Sequence, residues 1–467
     1  MTRIGQRRGL VLAAVAAWAL CTALVSARML ASGWILAPEA SVAIALAPLG
    51  AYAALRWPLI FPFCAYVFVM PFDTLTTLGR FGSMTKAVGL VCAAALVLRL
   101  VRSRTMVPPP KALGAWLLLL LWMFLSAAWA MESSDSAVAL AQYVALLALY
   151  AIVAVMPVTA FEFDSVLGST LVASVLAAAY GAWLFRSGQD VVASASRVII
   201  RHGDNYIDPN NFAAALILPL AIALCWLFTA RSRLLRVAML PAIGVLVLGF
   251  ATSGSRGGML AALAMVLWLV VRARYRLWLA GVAACTVAGA LLSNPGLVQR
   301  FAQTQSTDAA GRTDVWRVGL LALRDHWVVG AGVGNFPDAF DTEYLNVFAR
   351  YVLGWHWAAH NTFLEIAVEL GFVGLVLLVA ALWVQVRTLR VVPQGHPLYD
   401  TRLALEAAFV GLLVAACSGT LLNQKYLWLC FTAIVLLRSR MVTEAWRAVS
   451  LARRAQAQRP RRRAAVA

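Results

Sequence analysis

Acidic residues are scarce in this chain: 20 Asp and Glu stand against 39 Lys and Arg among 467 residues, and the charged types together make up only 13%. With 62% apolar residues and a mean hydropathy of +0.81, that scarcity excludes an ordinary soluble domain, where about half the residues are apolar and about a quarter charged. Cysteine is sparse and scattered. Cys21, Cys64, Cys92, Cys225, Cys285, Cys417 and Cys430 all fall inside apolar runs, with no CxxC pair or His/Cys cluster, so neither a disulfide framework nor a zinc site is indicated. There is no GxGxxG after a strand, no Walker lysine motif and no Ser-His-Asp signature, so nucleotide-driven chemistry has no support. No internal repeat is visible, and the only low-complexity stretch is the basic C-terminal tail.

What the chain has in quantity is long apolar runs, which makes it an integral membrane protein. A spanning helix needs about 20 mostly apolar residues. Candidate runs lie at 9–30, 34–55, 57–71, 84–101, 112–130, 137–157, 165–185, 211–230, 237–252, 257–271, 277–293, 359–386, 403–421 and 425–437. The 57–71 run carries Pro58, Pro62 and Pro71, and the last run is short, so twelve to fourteen crossings are expected in an all-α polytopic bundle. The first segment has a basic start (Arg3, Arg7, Arg8) but no small-residue cleavage site, and reads as the first spanning helix.

Both termini are arginine-rich, from Arg3 to Arg8 and from Arg453 to Arg463, which places both in the cytoplasm and requires an even number of crossings. The formal net charge of +19 is thereby topological, with a secondary attraction to anionic lipid heads and no implication of nucleic acid. The expected organisation is a transmembrane domain over 1–440, two long non-cytoplasmic loops within it at 186–210 and 294–358, and a basic cytoplasmic tail over 441–467. Long loops are where function concentrates. In the second, Trp316, Leu320, Leu323 and Trp327 recur at helical spacing with Arg317, Arg324 and Asp325 between them, which predicts an amphipathic helix on the bilayer surface, ended by Gly330, Gly332 and Gly334.

The polar residues gather at these loops. His360 stands where the second loop enters the 359–386 run, followed by Asn361 and Thr362 as capping or hydrogen-bonding groups. Its imidazole either accepts a proton near neutral pH or satisfies a helix end. Arg256 lies in Thr252-Ser-Gly-Ser-Arg-Gly-Gly258, where flanking glycines let a backbone approach an anion that the guanidinium grips; the alternative is an arginine snorkelling from a helix end.

The first loop leaves through Arg197, Arg201, His202, Asp204, Asp208 and Asn211 into an apolar helix. Arg201 is a second candidate phosphate clamp, and Asp208 or Asn211 caps the helix or orients a sugar. Two carboxylates and one histidine (His202, Asp204, Asp208) are a weak metal signal at this spacing. Glu365 and Glu369 share one face of the His360 helix and carry no assigned role. Arg312, Arg317, Arg324 and Arg350, with Trp316, Trp327, Trp355 and Trp357, give the long loop a basic and aromatic surface. It suits a phosphorylated, sugar-bearing lipid, and equally an ordinary interfacial belt.

Together, the Ser-Gly-Ser-Arg-Gly-Gly turn, Gly311-Arg-Thr-Asp-Val-Trp316, Gly330-Ala-Gly-Val-Gly-Asn-Phe336 and His360-Asn-Thr-Phe-Leu-Glu365 closing at Gly371 resemble the O-antigen ligase and polymerase superfamily, in order and sidedness, over roughly residues 180–385. Within it the chain most resembles the lipopolysaccharide O-antigen ligases. The resemblance implies a GT-C-like, inverting glycosyltransferase of a bacterial inner membrane, working on the periplasmic face without metal, nucleotide or other cofactor. It implies an undecaprenyl diphosphate-linked O-antigen as donor and the lipid A core as acceptor.

By position, His360 matches the family's essential loop histidine and Arg256 the arginine after the Ser-rich turn. Arg201 is the choice for the earlier arginine, Arg197 its rival, and His202 maps to nothing in the pattern. Arg197, His202, Asp208, Asn211, Arg312 and Asn361 are the expected substrate-binding residues. Three other activities stay open: O-antigen polymerase, protein O-oligosaccharyltransferase, and a multi-pass transporter or flippase. The last is disfavoured because the polar residues lie in loops and not at the membrane midplane.

Overall fold

The computed structural model describes residues 48–188 apart from 74 and 77–82, strand backbone within 191–207, residues 208–281 apart from 231, then 312–348 and 357–464, with backbone alone for 454–464. Its helices are α1 Phe63–Val69, α2 Met84–Ser103, α3 Lys111–Ser126, α4 Ser133–Ala154, α5 Ala160–Ser187, α6 Pro209–Ala215, α7 Ile217–Thr229, α8 Arg233–Ser253, α9 Arg256–Arg272, α10 Arg312–Asp325, α11 Phe336–Val347, α12 Thr362–Arg387, α13 Tyr399–Ala416 and α14 Lys425–Ala464. Described strands are confined to two antiparallel hairpins: β1 Val191–Val192 with β2 Arg197–Val198, and β3 Ile200–His202 with β4 Asn205–Ile207.

Seven stretches among the described residues are long and apolar enough to cross a membrane: 84–103, 133–154, 160–187, 209–229, 233–253, 362–391 and 425–453. The protein is a helical membrane protein. The expected run at 9–30, most of 34–55 and of 277–293, the start of the second loop, and Arg350 and Trp355 lie outside the described residues.

Apolarity decides which helices sit inside. In α7 every residue from Ile217 to Cys225 is buried, as expected for a helix hydrophobic on all sides. The outer helices instead turn Leu90, Leu121, Val172, Leu234 and Val271 outward, an apolar exterior that suits lipid. Gln385, fully buried, has partners at both its side-chain oxygen and its nitrogen. Gln385 accepts from Trp116 Nε1 at 3.1 Å and from the Tyr150 hydroxyl at 2.7 Å, and donates to the Phe431 carbonyl at 3.1 Å. Each unmade bond in such a place costs about 1–3 kcal/mol.

Two expectations need correction. The 359–386 run is no uninterrupted helix: α12 breaks at Gly371, whose φ of 68° and ψ of −170° leave the helical region. Hydropathy is continuous through the break, so only the backbone partners reveal its purpose. Ala331 and Gly332 N–H groups donate to the Val368 and Glu369 carbonyls at 2.9 and 2.8 Å, and the Phe372 N–H donates to the Trp327 carbonyl at 2.7 Å. A Cβ on Gly371 would stand 2.2 Å from the Val328 oxygen, and one on Gly330 2.2 Å from the Glu369 oxygen. Indole N–H groups cover two remaining carbonyls, Trp122 on Leu370 at 3.0 Å and Trp129 on Gly330 at 3.2 Å. The loop thereby fastens into the helix.

Second, the short 425–437 run is the start of α14, which continues through the basic tail as one helix to Ala464. The helix expected around Trp316 exists as α10; its protein-facing side is Val315, Val318, Gly319 and Ala322, while Leu320 and Trp327 stay 58% and 62% exposed. Val315, Val318 and Ala322 pack with Phe336, Phe340, Tyr344, Ala359 and Val368 in a small core of their own, because α11 and the first turns of α12 bury the opposite stripe.

Candidate functional site

Three helix starts and the first turn of α10 meet at one end of the bundle. Asp208 caps the 209–229 helix, accepting from the Asn210 and Asn211 N–H groups at 2.8 and 3.3 Å. Ser255 caps α9, accepting from the Gly258 N–H at 3.0 Å while its hydroxyl donates to Asn210 Oδ1 at 2.8 Å. Asn361 caps α12, accepting from the Phe363 and Leu364 N–H groups at 3.0 and 3.2 Å. Helix N-termini favour negative charge.

The glycines after Arg256 have close protein neighbours. A Cβ on Gly257 would stand 2.2 Å from Ser418 Oγ, and one on Gly258 2.4 Å from the Ala213 Cβ. They let the α9 start sink between α6 and the turn after α13.

His360 is held by its neighbours in an unusual backbone. Its φ is 47°, one of two positive values among described non-glycine residues. A left-handed residue other than glycine costs about 1–2 kcal/mol and persists only where its surroundings impose it. Here Trp316 Nε1 donates to the Ala359 carbonyl at 3.0 Å. On the other side Thr362 is tied to the Gly419 carbonyl through its N–H at 3.1 Å and its hydroxyl at 2.7 Å, and accepts from the Leu421 N–H at 2.9 Å. The imidazole makes no hydrogen bond among the described residues, and its ring lies edge-on to Trp357 with centroids 6.5 Å apart.

Charge gathers around it. Burial, then the nearby Arg312 guanidinium, hold the His360 imidazole below its ordinary pKa, with Asp208 pulling the other way. Burial and the like charge of Arg256 likewise lower Arg312, opposed by Asp208. His360, Arg312, Asp208 and Arg256 are thus electrostatic neighbours although they come from four separated segments. Asn211 belongs to the same end, accepting from the Tyr426 hydroxyl at 3.2 Å; Tyr426 was not singled out from the sequence, where it is one aromatic residue at the head of an apolar run.

Of the other expected residues, Arg201 pairs with Tyr206, His202 with Asn205 and Arg197 with Val192 in the hairpins. Their side chains, and all of Asp204, lie outside the described residues. Among the described residues no group of His, Cys, Asp and Glu gathers that would hold a metal ion.

Glu369 has its capacity filled by backbone. It accepts from the Phe336 N–H at 3.3 Å and from the Gly334 N–H, at the start of α11. Next to it Asn335, fully buried, donates to Ser136 Oγ at 2.9 Å and to the Glu132 and Val333 carbonyls at 3.2 and 3.0 Å, and accepts from the Glu132 N–H. The Gly330–Phe336 motif is therefore a fastening of the loop onto the α3–α4 turn.

Comparison with known families places residues 242–379, from mid-α8 through α9 and the loop into α12, in a match to the family described as O-antigen ligase. A search of curated proteins returned no match to the chain.

Proposed function

From the O-antigen ligase family domain that residues 242–379 form, we propose that the protein transfers a glycan from undecaprenyl diphosphate to the lipid A core, on the periplasmic face of a bacterial inner membrane. The observation that carries this reading is the juxtaposition of the His360 imidazole, which makes no hydrogen bond among the described residues, with the Arg312, Arg256 and Asp208 charges.

A lipid diphosphate leaves readily once its charge is neutralised, and fixed guanidinium groups in a partly desolvated place are suited to that. Arg256, Arg312 and Arg201 are assigned that task, with Arg197 as the rival to Arg201. His360 accepts the proton of the acceptor hydroxyl as its oxygen bonds to the anomeric carbon. The bond from that carbon to the diphosphate oxygen breaks at the same time, and the electron pair leaves with the lipid diphosphate. Displacement from the opposite face inverts that carbon. The lowered pKa keeps the imidazole neutral, hence a base, at pH 7. Asn361 and Asp208 cap two of the helix starts that meet there, Asn211 is tied to Tyr426, and the energy of the donor bond dispenses with nucleotide.

The test is a reconstituted reaction with purified chain and undecaprenyl diphosphate-linked polysaccharide, offered lipid A core, a peptide, or a second donor molecule, without nucleotide and with chelator. Glycan on lipid A core is the expected product. Transfer to the peptide or to the second donor would assign the same chemistry to a different acceptor, and dependence on added metal would overturn the metal-free mechanism.

A further inference from the structure

A concavity runs along the seam of α9, α12 and α13, from Phe363 in the first turn of α12 to Arg390. It encloses about 460 Å³. Val379, Leu382 and Trp383 from α12 and Phe409 and Val410 from α13 give it apolar walls, and its far end is basic, with Arg272, Arg387, Arg390 and Arg402 against the single carboxylate of Glu406. That carboxylate is already engaged, by Arg402 at 2.8 Å and Arg272 at 3.7 Å. Arg387 and Arg390 are exposed, and neither has an ion pair among the described residues. The Arg387 guanidinium lies 5.4 Å above the Trp383 ring and Arg272 lies 5.3 Å above Trp268, which fixes both cations at the groove mouth. Arg272 also lines an adjoining polar basin of about 640 Å³ with Arg274, Arg276 and His396.

An apolar channel that ends in surplus guanidinium charge and a polar basin has the shape and charge of an anionic amphiphile. The cations stand at the end opposite the His360 site, since α9 runs from Arg256 to Arg272 and α12 from Thr362 to Arg387. A lipid whose diphosphate belongs beside His360 would carry its charge at the wrong end. We propose that this groove binds an anionic phospholipid of the leaflet on the arginine side, its phosphate among Arg272, Arg387 and Arg390 and an acyl chain along Val379 and Leu382. Basic pockets between transmembrane helices on the cytoplasmic side are suited to such headgroups, and each guanidinium near the surface adds measurably to the affinity.

The test is native mass spectrometry of the full chain in mild detergent, titrated with phosphatidylglycerol and, separately, with phosphatidylcholine of the same acyl chains. Wild type should retain phosphatidylglycerol preferentially. Arg387→Gln with Arg390→Gln should weaken that retention about thirtyfold, and Val379→Trp should weaken both lipids by filling the channel. Excess undecaprenyl diphosphate should leave the bound phosphatidylglycerol in place. Equal retention of the two headgroups by wild type, unchanged retention in the double variant, or displacement by undecaprenyl diphosphate would each overturn the proposal. If the double variant fails to fold, the headgroup comparison on wild type and the Val379→Trp variant still decide it.

Discussion

The outer segment of α12, between Asn361 and Gly371, puts two polar side chains at its two ends, and they have opposite surroundings. At Glu369 the side chain is buried and accepts backbone N–H groups from the start of α11, while the carbonyls around the Gly371 break are consumed by loop N–H groups and indoles. At His360 the backbone is pinned but the imidazole is not hydrogen-bonded among the described residues, and its neighbours are charged side chains. A polar group at membrane depth is costly, and its cost is met either by the protein's own backbone or by whatever the site binds. Glu369 illustrates the first outcome and, under the proposed function, His360 the second. The difference sorts residues that fasten from residues left available, within one short motif.

The sharpest way to break this comparison is to truncate each end. His360→Ala should lower transfer by about 10²–10⁴-fold, the usual contribution of a general base, with little change in melting temperature, because the imidazole makes no hydrogen bond among the described residues. Turnover with purified donor and acceptor, measured beside a thermal melt, reads both; a fully active variant would remove the base. Glu369→Ala should do the reverse. It leaves the Phe336 and Gly334 N–H groups without an acceptor, at a cost of about 1–3 kcal/mol, so the melting temperature should fall, while transfer by the fraction that remains folded falls much less than in His360→Ala. A Glu369→Ala protein as stable as wild type but inactive would place the carboxylate in the chemistry.

Much of this was legible in the residues. Apolar runs of spanning length, the long loop with its helix, and the capping tasks of Asp208 and Asn361 follow from local pattern, and local pattern is what forms them. The Gly371 break was not legible, because hydropathy is blind to a kink whose partners, Trp327 to Gly332, lie some forty residues earlier in the chain. The side of α10 that packs on the protein was not legible for a similar reason: Val315, Val318 and Gly319 seat the helix against α11 and α12. The close packing of the glycines after Arg256 on Ser418 and Ala213, far away in sequence, was equally invisible. In each case the missing information was tertiary.

The smallest expected effect is the most selective. Burial and then Arg312 depress the His360 pKa below its ordinary 6.5, and Asp208 opposes them. If transfer requires the neutral imidazole, the rate should be level at pH 7 and fall only as the pH drops below the ordinary histidine range. Removing a positive neighbour stabilises the imidazolium, so Arg312→Gln should move that acid limb to higher pH, by up to about one pH unit. Removing a negative neighbour does the opposite, and Asp208→Asn, which keeps an acceptor at the head of its helix, should move the limb to lower pH. A pH–rate profile of kcat/KM for the two variants beside wild type checks both. Damage to the fold lowers the rate at every pH without moving the limb, and loss of a phosphate contact from Arg312 lowers its height, so limbs displaced in opposite directions would trace the titration to His360 itself, and limbs that stay fixed would detach it from the rate.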